Sequence, residues 1–208
     1  MQANPDLIRG IANCTNCRLA KDRGAGLSVP AEPGKNYQPG GLAIFLEAPG
    51  ADEEKHWDSL ESGEDYGRPL NGRSGILMDT LLKSAGTSRA DVLVLNRIRC
   101  RPPRNQINDY PDAVSQCDPW VVKELNEYQP SVVLLCGNTA LRSVFGATAS
   151  ITSVRGTARA TSDKFAYGAR TFIPTFHPAY AARNGGENSE IGRLIVSDIK
   201  LALDVLNG

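Results

Sequence analysis

Four cysteines divide into two pairs. Cys14 and Cys17 form a C-x-x-C near the N-terminus, and Cys100 and Cys117 follow far downstream with sixteen residues between them. Four thiolates suit a closed tetrahedral zinc site or the ligand set of an iron–sulfur cluster. The second pair opens inside a run of arginine and proline, Arg97-Ile98-Arg99-Cys100-Arg101-Pro102-Pro103-Arg104. Basic side chains around a metal-stapled loop are what a nucleic-acid enzyme needs to hold a phosphate backbone. The fifth cysteine, Cys136, ends an apolar run and reads as core packing.

The chain has 208 residues and a formal net charge of zero. That length supports one full core, so a single domain over residues 1–208 is expected. No apolar run approaches a membrane span, and the N-terminus lacks the charged-then-apolar pattern of a signal peptide. The expected location is therefore the cytoplasm, with no membrane partner. In that compartment a cysteine pair points to metal rather than to a disulfide. Charge is unevenly placed: residues 97–104 carry four arginines and no acid, while residues 52–65 carry seven acids and one lysine. Such segregation suits one anionic-ligand face with an acidic patch elsewhere, or simply two solvated loops of opposite sign.

Apolar patterning supplies the elements that must position these groups. Residues 42–47, 91–96, 131–136 and 171–176 are short continuous apolar runs, the signature of strands buried on both faces. Helical spacing or composition marks residues 4–13, 74–85, 111–128, 137–145 and 187–207. Residues 22–41 and 51–72 read as loops, and residues 150–170 as a segment able to hold a hairpin. Strands alternating with helices predict an α/β fold, a three-layer α/β/α sandwich around a four-stranded, mainly parallel sheet. Ligands in such sheets bind at the carboxyl ends of strands. Those ends here are Glu47-Ala48-Pro49-Gly50, Asn96, Gly137-Asn138 and His177-Pro178.

Several segments, in order, resemble the family 4 (iron–sulfur) uracil-DNA glycosylases. Glu47-Ala48-Pro49-Gly50 followed by Glu53 is similar to the family's G-E-A-P-G motif. Gly67-Arg68-Pro69-Leu70-Asn71-Gly72-Arg73-Ser74-Gly75 is similar to G-x-P-F-V-G-x-[AS]-G. Asn96, Cys100-Arg101-Pro102-Pro103 and Asn105 fit T-N-x-x-K-C-R-P-P-x-N. Gly137-Asn138-Thr139-Ala140, Ile151-Thr152-Ser153-Val154-Arg155-Gly156 and His177-Pro178-Ala179-Tyr180 with Arg183-Asn184 complete the series. Each motif is short; their joint order and spacing are specific.

The resemblance implies removal of uracil from single- or double-stranded DNA by hydrolysis of the N-glycosidic bond. The enzyme would be a monomer with no lyase step. The target base must leave the stack to be reached. Asn96 would read the uracil edge through its amide, with Ala48 and Leu70 lining the base site. His177 would donate a hydrogen bond to the charge growing on uracil O2. Glu47 would position the attacking water or stabilise positive charge on the sugar. Backbone amides around Ser74, and the side chains of Arg101, Tyr180 and Arg183, would contact DNA. A [4Fe–4S] cluster would be held by Cys14, Cys17, Cys100 and Cys117, pinning the N-terminus to the Arg-rich loop.

The match departs at Leu46, where the family has Gly, at Leu70, where it has the Phe expected to stack on uracil, and at Asn71. The acidic stretch around residues 54–66, with His56 and Trp57, resembles an insertion. Two alternatives follow from these changes. One is a relative with altered base range, such as a 5-substituted uracil or a deaminated purine. The other is a non-catalytic iron–sulfur DNA-binding protein. From the cysteines and arginines alone, a zinc-stapled nucleic-acid-binding domain is the reading from a different class.

Overall fold

The computed structural model describes residues 4–23, 26–55, 67–161 and 167–208. Within them lie strands β1 (Glu32–Pro33), β2 (Leu42–Leu46), β3 (Leu93–Asn96), β4 (Val132–Cys136), β5 (Arg159–Ala160) and β6 (Thr171–Thr175). The helices are α1 (Pro5–Ala12), α2 (Arg18–Asp22), α3 (Arg73–Ala85), α4 (Ala113–Tyr128), α5 (Asn138–Phe145), α6 (Ile151–Val154), α7 (Pro178–Arg183) and α8 (Glu190–Asn207). Among the described residues the strands form one six-stranded sheet, ordered β1-β3-β2-β4-β6-β5. The α/β expectation holds, with a correction to the strand count. The four expected strands are the parallel centre, and β1 and β5 add antiparallel edges of two residues each.

The composition of the centre explains its place. All five residues of β2 (LAIFL) and of β4 (VVLLC) are buried, so both faces of the sheet are covered. β6 contains Pro174, which pairs with Leu135 of β4 on one side. A proline has no N–H for a second ladder, and β5 pairs only as far as Arg159 opposite Phe172. The edge strand is thus confined to the end of β6 away from the proline. The sequence reads residues 150–170 as able to hold a hairpin; among the described ones only Arg159–Ala160 form a strand, and its partner is β6, beyond that segment.

α8 packs across β2, β4 and β6 and against α3, with α7 wedged between α3 and the C-terminal segment. Ser189 caps α8, its hydroxyl oxygen accepting from the Gly192 N–H at 2.9 Å. The short helices α2, α6 and α7 were not expected from the sequence, each being too brief to show a period.

A second, smaller apolar cluster lies apart from the main core. It gathers Cys17, Leu19, Ile98, Cys100, Tyr110, Ala113 and Cys117, with Ala48 packed against it. Ala48 begins the loop that leaves β2, so the cysteine cluster braces that loop directly. Cys136 is fully buried in β4 within the main core, as expected. No described helix is long and apolar enough to cross a membrane.

Candidate active site

The carboxyl ends of β2, β3, β4 and β6 open onto one cavity of about 470 Å³, within the range of small-molecule sites. It is lined by Glu47, Ala48, Leu70, Ser74, Asn96, His177 and Arg183, together with Leu46, Gly50, Glu53, Asn105 and Asn138. The strands run parallel, so their adjacent ends deliver these residues to one rim.

Asn96 is the last residue of β3 and is 1% exposed. Its Nδ2 amide group is buried and has no hydrogen-bond partner. A buried donor left unpaired costs roughly 1–3 kcal/mol. A group kept in that state on a cavity wall is suited to a ligand acceptor. Beyond Asn96 the chain stays beside β2: Arg97 N–H donates to Leu46 O at 2.8 Å and Ile98 N–H to Glu47 O at 3.0 Å. These bonds fix Glu47 relative to Asn96.

His177 precedes α7 and caps it, Nδ1 accepting from the Ala179 N–H at 3.1 Å. With Nδ1 an acceptor, the neutral ring carries its proton on Nε2. Burial, and then the nearby Arg183 guanidinium, lower its pKa to about 4. At neutral pH the ring is therefore an uncharged N–H donor in the lining of the same cavity as Asn96.

Glu47 leaves β2 partly buried, and its Oε2 accepts from the hydroxyl of Thr139 in the first turn of α5. Leu70 is 3% exposed and adopts a left-handed φ of 53°. For a leucine this is a strained turn. It is held from both sides. Arg89 Nη2 donates to Pro69 O at 2.8 Å and Leu70 O at 2.9 Å, while the buried Glu53 carboxylate accepts from the Leu70 backbone. Burial also raises the Glu53 pKa. Gly75 makes the turn feasible: a Cβ there would lie 1.7 Å from Leu70 O. The same approach brings the first turn of α3 to the cavity at Ser74, with no side-chain cap on that helix.

Of the remaining sequence-predicted residues, Arg183 lines the cavity, while Tyr180 and Arg101 are not among its lining residues. Tyr180 is 41% exposed, with its ring 5.5 Å from that of Phe176. Arg183 ends α7 and is exposed. Arg101 does not line the cavity. Its guanidinium donates to Glu54 at 2.7 Å and to Asn105 Oδ1 at 2.9 Å.

The Arg-rich run corrects the sequence reading in physical terms. Arg97 and Arg99 are each 1% exposed and sit inside the protein. Arg97 pairs with Asp118 at 2.5 Å, and Arg99 pairs with the fully buried Glu124, whose other oxygen accepts from the Ala31 N–H at 2.7 Å. Arg101 is committed to Glu54, so of the four arginines Arg104 is the well-exposed one, with 79% of its side chain accessible. The run is a buried electrostatic brace more than a phosphate-binding face. Its partner Glu54 belongs to the acidic segment, so the two charge patches meet rather than lying apart. Residues 56–66, including His56 and Trp57, lie outside the described residues. Removing one member of a buried pair strands the other, at about 3–5 kcal/mol. Glu124→Leu is therefore expected to lower the unfolding free energy by about that amount in chemical denaturation. Arg99→Met combined with Glu124→Leu should recover most of it.

Three of the four paired cysteines, Cys17, Cys100 and Cys117, are buried in the small cluster, and Cys14, three residues before Cys17, is partly exposed. Donors are directed at the sulfurs. Trp120 Nε1 donates to Cys14 at 3.3 Å, Arg23 Nη1 to Cys100 at 3.3 Å, and backbone N–H groups of Leu19 and Ala20 to Cys17. Burial raises the Cys117 thiol to about 11 and Cys17 in the same direction. Among the described residues, no three His, Cys, Asp or Glu side chains converge closely enough to hold a single metal ion.

A model of the uracil DNA glycosylase superfamily matches residues 41–200. The chain is 35% identical to the type-4 uracil-DNA glycosylase of Thermotoga maritima over 193 residues, covering 92% of this chain and 88% of that protein. The chain belongs to the type-4 uracil-DNA glycosylase family. It is also 30% identical to the type-4 enzyme of Saccharolobus solfataricus over 192 residues, covering 87% of this chain and 78% of the relative. Within the family frame, the cavity brings together Glu47, Asn96 and His177 and also two of the three departures, Leu46 and Leu70; Asn71 is not in its lining. Reading from the sequence passed over Glu53, Arg89 and Thr139. Glu53 and Thr139 stood inside quoted motifs, but their partners become visible only once the strands are ordered.

Proposed function

We propose that this protein is a monofunctional uracil-DNA glycosylase, acting as a monomer in the cytoplasm on uracil in single- or double-stranded DNA. The observation that carries this reading is that one cavity is lined by both an unpartnered buried Asn96 amide and an uncharged His177 Nε2–H donor. Uracil presents carbonyl acceptors and an N–H donor, which an amide can match on both counts. As the C1′–N1 bond breaks, its electron pair passes to the uracil ring, and the charge that collects on O2 meets the His177 N–H. A water oxygen bonds to C1′. Glu47, its Oε2 already held, is placed to orient that water and take its surplus proton, which solvent returns to the departing base. A neutral donor is well matched here, because it requires no proton to be gained before the bond breaks.

The uncapped first turn of α3 at Ser74 offers backbone N–H groups for a phosphate, and Arg183 offers a charge. Tyr180 stands ready to contact the DNA where the base has left. Arg101 serves this reading by holding Asn105 and Glu54 rather than through direct contact.

Cys14, Cys17, Cys100 and Cys117 would hold a [4Fe–4S] cluster. Hydrogen bonds from Trp120, Arg23 and the backbone to the sulfurs suit cluster thiolates, whose properties depend on such donors. When bound, the cluster supplies a covalent staple between the N-terminal segment, the 97–104 loop and α4. Deprotonating buried thiols makes its assembly release protons. The zinc alternative is separated by colour and metal analysis: the expected protein is brown and carries iron, and a colourless protein with stoichiometric zinc would contradict the cluster.

The reaction is tested by incubating purified protein with single- and double-stranded oligonucleotides bearing one uracil, followed by alkali. Strand cleavage at the uracil is expected. Tight DNA binding without cleavage would place the protein among non-catalytic relatives.

A further inference from the structure

We infer that Thr139 is a positioning residue for Glu47, and that the first turn of α5 sets the spacing between Glu47 and His177. The inference rests on the glycosylase reading above. β4 lies between β2 and β6 in the sheet. The residues leaving β4 are therefore the ones that stand between Glu47, which leaves β2, and His177, two residues past the end of β6. Three contacts make use of this placement. The Thr139 hydroxyl donates to Glu47 Oε2. The Gly137 N–H donates to Thr175 O at 2.9 Å, two residues before His177. Gly137 itself has a φ of 90°, and a Cβ there would come within 3.2 Å of the His177 Cβ, so backbone packs directly on the imidazole stem. The turn is fixed in its own right, because Asn138 Oδ1 accepts from the Ile151 N–H at 2.9 Å.

A carboxylate on a loop has two free torsions near its end, and either oxygen can face a water. Thr139 removes that freedom. With Oε2 committed to the hydroxyl, Oε1 is the oxygen left for the attacking water of the proposed reaction. The hydroxyl thereby acts on the approach to the transition state more than on DNA binding, which depends on other groups.

Thr139→Val keeps the shape and removes the donor; Thr139→Ser keeps the donor. Under single-turnover conditions with a uracil-containing oligonucleotide, Thr139→Val is expected to lower the maximal rate by about ten- to a hundredfold, the loss of one hydrogen bond to a charged group. The concentration giving half-maximal rate should change by less than about threefold. Thr139→Ser should restore most of the rate. In a Glu47→Gln background, Thr139→Val should add almost nothing, since the pair acts as a unit. Melting curves establish that both variants are folded. If Thr139→Val is folded but excises at the wild-type rate, or if the two losses simply add, the positioning role is overturned while the reaction stands. If the wild-type protein releases no uracil, both fall together.

Discussion

His177→Ala is expected to reduce uracil excision by about a hundred- to a thousandfold, the scale measured when one donor to a developing oxyanion is removed. The loss should appear in the rate of the chemical step, with DNA affinity nearly unchanged, because the bond strengthens only as charge builds on the leaving base. The structure adds a pH signature. The ring is neutral because burial holds its pKa near 4. Acidifying from pH 7 to pH 5 therefore should not erode activity through this residue. Stability moves the other way. Between the unfolded value of 6.5 and the folded value of about 4, the unfolded chain binds a proton that the native chain refuses. Stability is therefore fully present above that window and declines as pH falls through it, by up to about 3 kcal/mol. Denaturation of His177→Ala across the same range should show a shallower acid decline. Equal slopes for the two proteins would contradict the buried neutral histidine.

Asn96→Leu is expected to separate function from stability. Leucine is branched at Cγ like asparagine, though larger, and offers neither donor nor acceptor. Excision should fall by about a hundredfold or more in kcat/KM, since a good paired contact to a base edge is worth about 1–3 kcal/mol and the variant also leaves the base without its partner. The free protein should be unharmed or stabilised, by up to about 3 kcal/mol, because a buried unpaired amide has been removed. A residue kept only for packing or capping would behave in the opposite manner, with stability lost and activity following it. A variant that loses both in parallel would contradict Asn96 as the base reader.

The central strands and their functional ends were legible because continuous apolar runs are strong signals and the carboxyl ends of parallel strands must share one rim. Glu47, Asn96 and His177 could be located in this way before any coordinates. β1 and β5 were not, since a two-residue pairing rests on backbone hydrogen bonds that leave no side-chain pattern. The arginines misled because charge in sequence suggests surface. A signal was nevertheless present in α4, where the buried stripe Ala113, Cys117, Val121, Leu125 and Tyr128 also carries Glu124. An acid on an apolar stripe needs a buried cation, and the Arg-rich run supplies Arg99. Thr139 was invisible for a different reason. Its partner lies 92 positions away and meets it only because β4 falls between β2 and β6.

The central claim, that this cavity hydrolyses the bond between uracil and deoxyribose, is tested most directly by running one turnover in oxygen-18 water and weighing both products. The account predicts free uracil of ordinary mass and an unbroken strand whose abasic sugar has gained the heavy oxygen. Uracil retained on the DNA, a strand cut without alkali, or a strand covalently joined to the protein would contradict it.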